Sequence, residues 1–447
     1  MHNELISYYF RSLIISEGIY NLDISMVFET LNFRGKQLTG LEHFKNRILY
    51  LISKLHTTEK LKTQCRQRVN KSWLDVYKWL GKNKDNELND DTFLKAFWLL
   101  YFSNKNMVSK DFKAYQKNIF TEIFHLEETN QNIFLERNEL YHWLNEMSKS
   151  VKLWFFINNP YFFDDKDEKF EYLYNRRIQV LLDKILSFPL GYGRYMLNLI
   201  LAILIKYLPE VENNLPEDQI KDNLLSIENL LKAIERHNVV CFLLQGNKTN
   251  FRQEDTFRDI NYFYRYGKSF TGLELLKVLS ENRVEHFNWD SFRANIHKKT
   301  NRFFGWKGVN YIMREWECTL SNSEKIENYS LNYIYPESDN EYIRKSYIQI
   351  NSQIKNNRDK TTYSLGNLYL SRTVRTSYDF DTLKKRISNS LIKNEIIFNT
   401  EKEILDYEEW NIDSVKTRGT KILYFMINHW NLPSLKQQTQ IDDILIN

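Results

Sequence analysis

Turn-forming residues are scarce in this chain. Glycine occurs 13 times and proline 6 times in 447 residues, while aromatics make up 15%. A β fold needs frequent tight turns, so this balance favours long packed helices. The length allows two or three domains with ample core. A net charge of +5 permits contact with nucleic acid without requiring it.

Three cysteines, Cys65, Cys241 and Cys318, lie far apart and form no C-x-x-C pair. That spacing argues for a reducing compartment and against a zinc site or a disulfide framework. The opening residues, MHNELISYYF, place charge and polarity where a secretory leader is apolar. The most apolar run, Tyr195 to Leu208, contains Asn198 and Lys206 and is too short to span a bilayer. The expectation is a cytoplasmic protein without membrane contact, with this run as a buried helix.

Hydrophobic periodicity fills in the helices. Leu41, Phe44, Ile48, Leu51, Ile52 and Leu55 share one face of a helix over 41–55, and Thr39 with Glu42 makes a capping box at its start. Asn89-Asp90-Asp91 opens another helix with Phe93, Phe97, Trp98 and Tyr101 on one stripe. Helical patterns continue over 134–156, 170–186, 194–207 and 224–244, with Glu217 and Asp218 suiting the start of the last. A polar stretch from Ser321 to Ser330 breaks the pattern and is read as a domain boundary. Beyond it, 330–335 and 362–370 read as short strands, and the last strong element is a helix over 413–430. Gly419 inside that helix costs about 1 kcal/mol against alanine, which suggests close packing there.

Two motifs carry chemistry. The first runs from Phe28 through Asn32, Arg34, Gly35 and Lys36 into the capped helix. A strand, a polar turn with two cations and a helix N-terminus make suitable ground for a phosphate, or simply a strand–turn–helix connection. The segment FETLNFRGKQLTGLEHFKNRILYL closely resembles the second half of the N-terminal, ParB-like domain of GmrSD-type restriction proteins. KSWLDVYKWLGKNKDNELNDDTFLKAFWLLYF, LLKAIERHNVVCFLL and FFGWKGVNYIMREWE are similar to segments of one branch of that family; Trp306, Tyr311 and Trp316 in the last read as core. The resemblance implies an NTP-hydrolysing domain with a D-G-Q-Q-R motif. That motif is absent here, and the preceding half-domain with it. No NTP hydrolysis is therefore expected, and a partner chain would have to supply the missing half.

The second motif is C-terminal. Leu331-Asn332-Tyr333-Ile334-Tyr335-Pro336-Glu337 resembles the E-H-I-x-P-Q strand of the family's HNH-type nuclease domain, and Leu365-Gly366-Asn367-Leu368 resembles its L-G-N-L segment. Trp410, Val415, Arg418, Ile422 and Trp430 match the closing pattern. The tryptophans read as packing anchors, and Arg418 as an ion-pair partner or a phosphate contact. Such a site needs a histidine base and a Mg²⁺ ion. Here Asn332 stands for the glutamate, Tyr333 for the histidine, and Arg375 where a further asparagine is expected. A tyrosine with an ordinary pKa near 10 is a poor base, and Arg375 would repel the metal. Hydrolysis is expected to be lost, with neither Mg²⁺ nor NTP in use. Arg372, Arg375, Lys384, Lys385, Arg386 and Lys393 crowd this segment, which suits DNA backbone contact or a solvated basic helix.

The whole then reads as mainly α: a truncated α/β remnant over 1–60, a helical middle over 61–320 and a small α+β HNH-like domain over 321–447. The resemblance implies a diverged restriction, or phage-defence, protein that binds DNA or a partner subunit without cleaving. An active nuclease with an unorthodox site and a decayed gene product stay open as alternatives.

Overall fold

The computed structural model describes residues 39–82, 88–103, 114–126, 132–162, 172–191, 193–208, 215–265, 271–279, 287–299, 301–336, 361–373 and 378–446. The fold is mainly helical, as the scarcity of turn residues predicts. In chain order the principal elements are α1 (Gly40–Lys54), α2 (Glu59–Leu80), α3 (Asp90–Tyr101), α4 (Arg137–Asn158), α5 (Arg176–Leu186), α6 (Met196–Tyr207), α7 (Glu217–Asn238), α8 (Gln253–Arg265), α9 (Trp289–His297), α10 (Val309–Ser321), β1 (Ser330–Tyr333), β2 (Leu368–Ser371), α11 (Phe380–Ile392), α12 (Ile412–His429) and α13 (Gln438–Leu445). Contacts divide the chain into two compact units. The first holds residues 1–174, 195–227 and 252–272; the second holds 175–194, 228–251 and 273–447.

In the first unit, α1 starts with the expected capping box: Thr39 Oγ1 accepts from the Glu42 amide at 3.3 Å, and the Thr39 amide donates to the Glu42 carboxylate at 2.9 Å. Its apolar stripe is buried from Leu41 to Ile52. Phe44 from that stripe sits among rings, with Phe124 at 5.2 Å, Trp73 at 5.6 Å, Trp143 at 5.9 Å and Phe102 at 6.0 Å between centroids. Offset and tilted ring pairs of this kind add to their area burial. The expected α3 stripe is also present: Phe93, Phe97 and Trp98 are buried and Tyr101 is half-buried. Helix α6 is the apolar run read as a buried helix, with Met196 to Leu204 all inside. No helix among the described residues is long and apolar enough to cross a membrane.

In the second unit, β1 and β2 pair antiparallel, with Asn332 opposite Tyr369 and Tyr333 opposite Leu368. Both strands are shorter than their sequence pattern. Asn367 makes the difference: its side chain takes over the Tyr335 backbone, and Leu365–Asn367 tighten into a 3-10 turn that replaces the start of the second strand. The helix expected over 413–430 is α12. One further helix follows, α13, whose Ile441, Ile444 and Leu445 form a buried i, i+3, i+4 stripe that the sequence reading passed over.

Gly366 and Gly419 explain how α12 meets the turn. A Cβ on Gly366 would lie 1.9 Å from the Val415 carbonyl oxygen and 2.6 Å from the Gly419 amide nitrogen, so the two backbones touch. The close packing suggested by Gly419 is found.

Candidate functional site

The strand pair, the 3-10 turn and α12 bring Asn332, Tyr333 and Asn367 into one region, as the second motif requires. Asn367 is fully buried at the turn's end, and its amide is saturated. Its Oδ1 accepts from the Tyr335 amide at 2.8 Å and from Trp410 Nε1 at 3.0 Å. Its Nδ2 donates to the Thr362 and Tyr335 carbonyls at 2.8 Å and 3.0 Å. With two acceptor sites and two donors, this side chain has no bonding capacity left.

Asn332, 5% exposed, uses its amide nitrogen in the same way. It donates to Ser371 Oγ at 2.9 Å, to its neighbour Ser330 O at 3.0 Å and to Thr373 O at 3.3 Å, tying β1 to the residues that follow β2. A glutamate here would carry no proton for these acceptors at neutral pH, so the asparagine serves the strand pair as a donor. Tyr333 is half-buried in a ring cluster, 4.5 Å from Phe304 and 5.7 Å from Tyr363 between centroids.

A divalent cation needs free oxygen ligands. Asn367 Oδ1 already accepts two N–H donors, so this oxygen has no lone pair left for a Mg²⁺ ion. Among the described residues, no group of three or more His, Cys, Asp and Glu side chains is placed to hold a metal ion. Cys65, Cys241 and Cys318 are buried free thiols.

Arg418 resolves to the structural alternative. It is 1% exposed and donates from Nη1 to Leu368 O at 2.5 Å and Gly366 O at 2.9 Å, with Nε 3.3 Å from the Glu403 carboxylate. It thus clamps both sides of the turn that carries Asn367. Trp410 packs against Phe380 and donates to Asn367; Trp430 is a buried anchor.

Two supports were missed in the sequence. The Thr400 hydroxyl accepts from the Leu370 amide at 3.2 Å, occupying the outer edge of β2. The buried Glu317 carboxylate accepts from the Asn399 and Thr400 amides at 2.8 and 2.7 Å, capping the short helix Asn399–Lys402. The legible signal was an acid on a mostly apolar helix, Glu317 in α10.

The basic residues separate into two sets. Lys384 donates to Tyr407 O at 2.7 Å, and Arg386 donates to Tyr378 Oη at 2.7 Å, so these two cations are half-buried against their own domain. Lys385, Lys393 and Arg372 are exposed, Arg372 lying over the Phe398 ring at 5.1 Å. Arg375, and with it Asn32, Arg34, Gly35 and Lys36 of the first motif, lies outside the described residues.

No family model, curated protein or solved structure gives a significant match to this chain.

Proposed function

We propose that this chain is a diverged, GmrSD-like restriction or phage-defence protein of the cytoplasm that contacts DNA through its C-terminal region and does not cut it. One observation carries the reading: Asn332 and Asn367, at positions the resemblance assigns to the reaction, serve the strand pair and the turn through their side-chain amides. Asn367 is saturated and Asn332 is a donor to three oxygens. Such an arrangement suits phosphate contact, and among the described residues Asn332, Tyr333 and Asn367 offer no good general base for water. General-base catalysis typically contributes about 10²–10⁴-fold, so its loss leaves little turnover. The exposed cations Arg372, Lys385 and Lys393 suit a phosphate backbone.

The test is plasmid and phage DNA incubated with the purified chain and Mg²⁺ or Mn²⁺, with binding followed in parallel across a salt series. The expected result is no nicking and weak binding that falls by about 0.9 log unit per phosphate contact for each tenfold rise in salt. Metal-dependent nicking that vanishes in Tyr333→Phe would overturn the non-cleaving reading. Binding no stronger than that of an acidic control protein at low salt would remove DNA as the partner.

A further inference from the structure

The second unit buries two carboxylates together, and their surroundings are unequal. Glu315 on α10 is 1% exposed and pairs with two cations, Lys184 Nζ from α5 at 2.6 Å and Arg314 Nη2 at 3.3 Å, with the His429 ring Nε2 from the end of α12 at 3.8 Å. Glu235 on α7, 7% exposed, is held by neutral donors: Tyr311 Oη at 2.6 Å and Trp430 Nε1 at 3.1 Å. Its neighbour Arg236 points elsewhere, donating to Trp430 O at 2.6 Å and Asn431 O at 3.0 Å. Glu235 and Arg236 together therefore hold the end of α12 against the last turns of α7.

Two carboxylates in one buried cluster resist ionising together. Since the cations sit on Glu315, the proton belongs on Glu235. We propose that Glu235 is a proton-carrying latch: its proton keeps the buried cluster beside Glu315 to a single negative charge with the end of α12 in place, and release of the proton to solvent water loosens that end. Ionisation leaves a second buried negative charge beside Glu315 that neither Tyr311 nor Trp430 can neutralise. Burial, reinforced by Glu315, pushes the Glu235 carboxyl up to about 7, against the opposing pull of the Tyr311 bond, Lys184 and the Trp430 bond. Burial also holds His429 below the usual histidine range, so this ring supplies no compensating charge at neutral pH.

The sign follows. The folded-state value lies above the ordinary 4.5, so the latch contributes fully below about pH 4.5 and is lost as the pH rises through 7. Hydrogen exchange of the full chain, read over residues 422–432 and corrected for intrinsic exchange, measures the local opening. Glu235 by itself makes opening about fortyfold more favourable between pH 5 and pH 7, and His429, held low when closed, opposes part of that rise. Glu235→Gln can accept both hydrogen bonds on its amide oxygen and cannot titrate, so its profile is expected to lose the rise and keep only the opposite slope of His429. Tyr311→Phe removes a donor that favours the carboxylate, so its transition is expected to move to higher pH. A flat wild-type profile, a Glu235→Gln profile that keeps the wild-type slope, or an unmoved Tyr311→Phe transition overturns the latch.

Discussion

In the first unit, Lys95 on α3 is 5% exposed and lies over the Phe257 ring at 5.2 Å, and Asp259 on α8 is buried as well. In the second, polar and charged groups are buried as networks: Arg418 with Glu403 and three carbonyls, Glu315 with Lys184, and the saturated amide of Asn367. The first unit is held chiefly by rings around Phe44, which tolerate small shifts because dispersion is non-directional. The second has a large apolar core of its own, and adds to it directional bonds that fix the turn at 365–367. That difference predicts unequal responses to mutation and opposite responses to pH.

The largest expected effect is on backbone contact. Gly366→Ala would drive a methyl into the Val415 carbonyl, a backbone atom that cannot step aside, and is expected to cost about 4 kcal/mol or more. The matching change in the first unit, Gly40→Ala, meets the Asp91 carboxylate at 2.6 Å and the Gln116 amide at 3.0 Å, both ends of flexible side chains. It is expected to cost about 1 kcal/mol, partly offset by better helix propensity. Denaturant unfolding of the two variants compares them directly; equal costs would erase the distinction between the units.

Next comes the turn itself. Asn367→Ala strands the Tyr335 amide and the Trp410 indole N–H in a dry interior, along with two carbonyls. Unmet buried groups cost about 1–3 kcal/mol each, so a loss of about 3 kcal/mol is expected. A loss under about 1 kcal/mol by denaturant titration would mean that solvent reaches this site, and would reopen it as a reactive one.

The pH responses sharpen the comparison further. Burial lowers Lys95 to about 7 from its ordinary 10.5. The unfolded chain therefore binds the proton more readily between these values, and stability of the first unit is expected to rise over that window, by at most about 1.4 kcal/mol per pH unit. The second unit behaves oppositely at lower pH, since Glu235 is raised to about 7 and its contribution fades from about 4.5 upward. Exchange protection over 93–100 should increase from pH 7 to pH 10 in the wild type and lose that increase in Lys95→Met. Retention of the increase in Lys95→Met would assign it to another group.

What the sequence made legible follows the same line. Helix α1 was readable to its cap because the Thr39–Glu42 box and the 3.6-residue stripe are local. So was the contact at Gly419, because glycine inside a helix is locally unfavourable and calls for a reason. The sequence reading puts Asn332, Tyr333 and Asn367 in one motif by resemblance, and the strand pair and turn do hold them near one another. Their condition did not follow from it, because saturation depends on Thr362, Tyr335 and Trp410, the last of these 43 residues from Asn367. Glu235 with Trp430 spans 195 residues, beyond any periodic signal. Acids at core positions were the available hint: Glu315 follows Tyr311 by one helical turn and precedes Cys318, both buried.

The smallest effect expected on stability separates two adjacent lysines. Lys384 spends its charge on the Tyr407 carbonyl, while Lys385 is exposed. Lys384→Ala is therefore expected to cost about 1 kcal/mol in unfolding, the worth of a hydrogen bond from a charged donor that also lies over the Phe380 ring at 5.5 Å. Lys385→Ala should leave stability within about 0.5 kcal/mol. On DNA the order reverses. If Lys385 neutralises a phosphate, its loss weakens binding to all sequences alike and reduces the salt slope by about one contact. Lys384→Ala, whose ammonium is already engaged, should change the slope by less. Equal slopes for Lys385→Ala and the wild type would reduce this side of α11 to a solvated face and move the search for the DNA contact to Arg372 and Lys393.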